Sequence, residues 1–270
     1  MEPTHIERHF AAMGARFRIS GAKGPPFWRR ETDYAIDIQK DRHGEFFELR
    51  IPGKIEKEIE IDVLQKMPGE RHLLLLVRKN GAQQQKDRFL CGHDERSWFV
   101  AAVPGNASTV AQAREALKPA EVRAAQERAG VPAEKGYLRK NDAFRRQGEW
   151  FFIPEPGLIV DPKRILRNEP VRRGRGKAHV LQEAYRTGGE RVYVHDRHAN
   201  GVLEREYKSI LARGNTKPAE WKVMVRNAGV YARGAVRHPD HKTITLHCWH
   251  RVHMNTETQT RTMAKVAFLD

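Results

Sequence analysis

The chain has 270 residues, with 49 Lys and Arg against 34 Asp and Glu, for a formal net charge of +15. An apolar content of 39%, including five Trp and eleven Phe, excludes a basic disordered tail. Two cysteines, Cys91 and Cys248, exclude a disulfide framework and favour a reducing, cytoplasmic setting; the longest apolar run, residues 98–103, is far too short to span a bilayer.

The first hundred residues read as strands. Residues 34–39 and 45–51 flank Asp41-Arg42-His43-Gly44, which predicts a hairpin. Residues 73–77 form a continuous apolar run, as in a strand buried on both faces. Residues 89–90 and 98–103 bracket a polar turn at 92–97, and Pro104-Gly105-Asn106 closes the region. Helical signals follow. Ser108 or Thr109 can cap a segment that places Val110, Ala113 and Leu117 on one face. Pro119 suits the first turn of a second helix, which Gly130 can end. Residues 150–153 read as a core strand, and residues 154–157, Pro-Glu-Pro-Gly, as a domain boundary.

The expected architecture is α+β: a β-rich domain over 1–105, a helical connector over 106–149, and a basic domain built on β-hairpins over 150–270. In the last domain, residues 192–195 and 202–207 flank Asn200-Gly201, a dipeptide that favours a two-residue hairpin turn. A second hairpin is predicted with a three-residue loop, Pro239-Asp240-His241. In that register Tyr231 faces Trp249, Arg233 faces His247, and Arg237 faces Thr243. Aliphatic residues then line one face, and aromatic, basic and imidazole groups the other.

Charge is unevenly distributed. Residues 1–150 hold 27 basic and 22 acidic side chains, residues 151–270 hold 22 and 12, and residues 163–177 alone hold seven basic residues and one acid. A concentrated cationic surface is the footprint of a polyanion binder, because neutralised phosphates release counterions. The expected partner is nucleic acid, with RNA or single strands favoured because rings and guanidinium groups share a hairpin face. The candidate contacts are Arg172, Arg173, Arg175 and Lys177 in the basic loop, and Tyr231, Arg233, Arg237, His247, Trp249 and Arg251 on the ribbon.

The alternative is a histidine-dependent nuclease or other phosphodiester enzyme. Eight of thirteen histidines lie between His179 and His253. Two imidazoles, His238 and His241, flank the second hairpin loop, where they can act as acid and base while Lys242 stabilises a developing phosphorane. His241-Lys242-Thr243 matches one half of the paired His-x-Thr/Ser arrangement of two-histidine phosphoesterases, but no other histidine has Ser or Thr two positions later. No cofactor is expected, since Walker and dinucleotide-binding glycine patterns are absent. No metal centre is assigned either, although Cys91/His93 and Cys248/His250 form two Cys-x-His pairs that could supply zinc ligands.

Overall fold

The computed structural model of the chain describes residues 5–21, 34–81, 84–172, 177–214 and 216–257. They fall into two compact units: one runs up to Ala120 and resumes at Asn255, and the other spans Glu121–Met254. Nearly half of the described residues are in β-strands, with four short α-helices among them, an α+β protein. None of these helices is long and apolar enough to cross a membrane.

In the first unit, α1 (His5–Ala12) precedes β1 (Phe17–Gly21), β2 (Ala35–Asp41) and β3 (Gly44–Ile51), a three-stranded sheet of order β1-β3-β2. Asp41 pairs with Gly44, so the predicted hairpin turns through Arg42-His43 and exits at a glycine with φ of 103°. β4 (Ile59–Met67), β5 (His72–Lys79), β6 (Gln85–Asp94) and β7 (Ser97–Val103) form a four-stranded meander. The apolar run in β5 is buried on both faces. Leu73, Leu75 and Val77 join Phe10, Phe47 and Leu49 on one side, while Leu74 joins Leu90, Val110 and Ala113 on the other. Helix α2 (Val110–Ala116) covers that second side, and its first turn is capped by Thr109, whose Oγ1 accepts from Gln112 N at 3.1 Å.

The second unit opens with α3 (Ala120–Arg128), which packs Val122 and Ala125 against Phe144, Phe151 and Ile153. Its main sheet combines β8 (Arg145–Gln147), β9 (Trp150–Pro154), β10 (Leu166–Val171) and β11 (His179–Thr187) with two later strands. A smaller sheet holds β12 (Glu190–His195), β13 (His198–Val202) and, after α4 (Glu204–Ala212), β14 (Lys222–Arg226). β15 (Gly229–Arg237) and β16 (Ile244–Met254) complete the main sheet. Strand order is β10-β11-β15-β16-β9-β8 in the large sheet and β13-β12-β14 in the small one. Trp150, Phe152, Leu181, Val236 and Leu246 belong to the core of the large sheet. The two helices expected to form one connector are divided between the units, and residues 154–157 lie inside the second, where Glu155 N donates to Trp249 O.

Two hairpin expectations are corrected. The first hairpin turns at Asp196-Arg197, with His195 opposite His198; Asn200 and Gly201 lie within β13, and residues 204–207 are helical. Gly201 still takes a positive φ of 71°, but it does so in a strand where a Cβ would meet Val192 Cγ2 at 2.7 Å. Here the glycine serves close packing rather than the turn.

In the second hairpin the predicted register holds from Val236↔Ile244 to Gly234↔Leu246, then shifts by two residues, so that Tyr231 faces Arg251 rather than Trp249. The extra residues of β16, at 247–249, bulge opposite Arg233. On its other edge β15 is irregular too: the register with β11 shifts at Gln182, whose Oε1 accepts from Ala235 N at 2.8 Å beside Gly234 (φ 81°). A shift of two preserves strand parity, so the aliphatic face remains in register with itself.

Candidate three-histidine centre

The main sheet brings together residues that are far apart in sequence. Val180 on β11 pairs with Arg237 at the end of β15, so His179 lies beside His238, the first residue of the loop to β16. His241 is three residues further along that loop. The rings of His179 and His238 stack at 4.2 Å between centroids, those of His238 and His241 at 4.6 Å, and those of His179 and His241 at 5.6 Å. One nitrogen from each ring lies within 4.8 Å of the others.

The β8–β9 turn closes the back of the cluster. Gln147 Nε2 donates to Val236 O at 3.2 Å and to Lys242 O at 2.8 Å, bracing both sides of the histidine loop. Gly148 follows with φ of 57°. A Cβ there would lie 2.8 Å from His241 Nε2 and 3.3 Å from His179 Nε2. Glycine is therefore required both by the left-handed backbone and by the space in front of the two imidazoles. The Trp150 ring stands edge-on to His179 at 6.2 Å.

His179 is only 1% exposed, and neither of its ring nitrogens has a hydrogen-bond partner. Burial, followed by the charges of His238 and His241, pushes its pKa down to about 3 against the pull of Asp240. His238 is also lowered, first by burial and then by His241, with Asp240, Glu149 and the Lys177 backbone opposing. Its Nδ1 accepts from Asp240 N at 3.1 Å. Partial burial works to raise Asp240, but the hydrogen bond and charge of Lys177, with His238 and His241, hold it low. His179 is thus a neutral donor at physiological pH, as a metal ligand or base must be, and not an imidazolium acid. Among the described residues this is the one group of three His, Cys, Asp or Glu donors that converges.

The residues expected from the sequence are distributed as follows. His238 and His241 are in the centre. Lys242 is exposed beside it, its carbonyl held by Gln147. Lys177 is bound to Asp240 at the rim. Arg172 is exposed, whereas Arg173 and Arg175 lie outside the described residues. On the ribbon, His247 and Arg251 are exposed, and Arg237 is exposed while donating to Asn168 Oδ1 at 2.7 Å. Tyr231 is half-buried against Tyr185, at 5.9 Å.

Trp249 departs from the expected open face. It is 4% exposed, with the Arg233 guanidinium 4.7 Å over its ring and Tyr185 edge-on at 6.5 Å, so no base can stack on it without displacing them. Arg233 itself is tied to Glu183 at 2.6 Å. The Cys-x-His pairs lie in different units. Cys91 is buried, which pushes its thiol pKa up, and His250 Nδ1 lies 2.8 Å from the Cys248 carbonyl. Either pair alone offers two donors, fewer than the three or four of a zinc site.

His179, Gln147 and Gly148 were not identified from the sequence. Hairpin parity relates neighbouring strands, whereas β11 meets β15 across more than 40 intervening residues and β8–β9 joins from the other side. A scan against protein-family models, a search of curated proteins and a search of solved structures each gave no match.

Proposed function

We propose that the second unit binds nucleic acid, with RNA or another single strand as the favoured partner. The observation that carries this reading is its charge. Residues 121–254 contain 27 basic and 15 acidic side chains, so their own acids can neutralise at most 15 of the cations. This segment accounts for +12 of the chain's +15, and several exposed basic residues, among them Arg172, Arg237 and Arg251, lie on its main sheet or the adjoining segments. Such an excess draws a phosphate backbone by counterion release. Half-buried Tyr231 and exposed His247 are the rings available for base contacts, and Trp249 serves the fold. The test is titration of a labelled single-stranded RNA at several salt concentrations, with a duplex of the same sequence as comparison.

A second reading, cleavage of the bound phosphodiester, is favoured by the meeting of His238 and His241 with His179 beside Lys242. Burial and the neighbouring His241 lower the pKa of His238, which favours it as the base of such a pair. Cleavage of a labelled oligonucleotide with and without a chelator tests this reading.

A further inference from the structure

We propose that His179, His238 and His241 together hold a divalent transition-metal ion of the zinc class. Two observations point to a ligand there. The first is the buried imidazole of His179, both of whose nitrogens lack a hydrogen-bond partner. Buried polar groups are almost always paired, because an unsatisfied one loses its hydration with nothing in return. The unprotonated nitrogen of a neutral imidazole is the commonest protein donor to a metal ion, and an ion would satisfy that nitrogen of His179.

The second observation is the space in front of the donors. The three nitrogens lie within 4.8 Å of one another, and Gly148 withholds the one side-chain atom that would fill the region facing Nε2 of His179 and His241. Zinc–nitrogen bonds of about 2.0–2.1 Å set tetrahedral ligands about 3.4 Å apart. Closing the cluster on an ion therefore requires ring movements of about 1 Å.

The donor set selects the metal class. Three imidazoles suit zinc, copper, nickel or iron, whereas magnesium and calcium demand oxygen ligands. The nearby carboxylate, Asp240, is held by Lys177 at both oxygens. Three protein ligands leave a fourth position open, the pattern of a catalytic rather than a structural zinc site. Neither ring nitrogen of His179 is engaged in a hydrogen bond that an ion would have to displace. His238 differs, because Nδ1 is engaged with Asp240 N and coordination must displace that contact or the proton on the other nitrogen. Its removal should cost the least of the three. The inference stands apart from nucleic-acid binding and holds whether or not RNA binds.

The full chain, stripped with EDTA, is titrated with Zn²⁺ and then with Co²⁺ as a spectroscopic probe. One ion per chain should bind, raising the melting temperature with Zn²⁺ but not Mg²⁺, and Co²⁺ should give the visible bands of a four-coordinate site. His179→Ala and His241→Ala should each lower Zn²⁺ affinity by at least about 100-fold, the upper end of the loss seen for outer-shell partners. Gly148→Ala should act in the same direction, since its methyl occupies the space facing two donors. If buried His179→Ala fails to fold, half-buried His241→Ala and Gly148→Ala decide the matter. Failure of Zn²⁺ and Co²⁺ to saturate at one ion per chain, or undiminished affinity in those two variants, overturns the site.

Discussion

Lys177 Nζ lies 2.7 Å and 2.8 Å from the two carboxylate oxygens of Asp240, joining the segment that leads into His179 to the loop that carries His238 and His241. The same Asp240 uses its backbone N–H to hold His238 Nδ1. One loop residue thus fixes both a neighbouring segment and a ring of the centre.

The Lys177–Asp240 pair is largely exposed, so its contribution to stability is small. Asp240→Asn should lower unfolding free energy by no more than about 1 kcal/mol. Because the folded-state pKa of Asp240 is depressed, the stabilisation is present above its unfolded value and disappears as pH falls through the folded one. Urea unfolding of both proteins should give curves that converge in acid. A deficit that persisted unchanged there would show that the carboxylate's charge is not responsible.

His179 makes a larger demand on pH in the same direction, beginning at a higher pH. Its pKa falls from 6.5 to about 3 on folding, so between those values the unfolded chain binds the extra proton and stability rises with pH. Acidification from about pH 6.5 to 5 should cost up to about 2 kcal/mol through this group, at about 1.4 kcal/mol per pH unit. His179→Leu should flatten that limb of the profile in metal-stripped protein. An unchanged acid limb would mean that the buried ring does not set it.

Trp249 and His247 are separated by two positions on β16 and should respond differently. Trp249→Ala removes a buried ring and should destabilise the protein by roughly 3–5 kcal/mol. His247→Ala, at an exposed position, should stay within about 0.5 kcal/mol of the parent. Thermal melts of both variants check this. A stable Trp249→Ala protein with weakened RNA binding would restore the tryptophan to the binding surface.

The contrast between those residues shows what the sequence conveyed. Local signals were legible: the Asp41–Gly44 turn, the doubly buried run in β5, the Thr109 cap, and the even parity that pairs Val236 with Ile244 and Ala232 with His250. The bulge at 247–249 was not, because strand alternation carries no mark of residues inserted into one strand of a pair, and a shift of two leaves the parity unchanged. The Asn200-Gly201 turn signal was overridden by packing against Val192. His238 and His241 stood out by their spacing around one loop. Their third partner was hidden, because only the pairing of β11 with β15 brings His179 beside them.

Binding of a nucleic-acid strand through the excess charge of the second unit is tested by the salt dependence of its affinity for single-stranded RNA. With about four to six phosphate contacts, log affinity should fall against log salt with a slope of roughly −3 to −4. Neutralising Arg172, Arg237 and Arg251 together should reduce the magnitude of that slope by about 2. Absence of binding at low salt, or an affinity and slope unchanged in the triple variant, would mean that these cations do not hold a phosphate backbone.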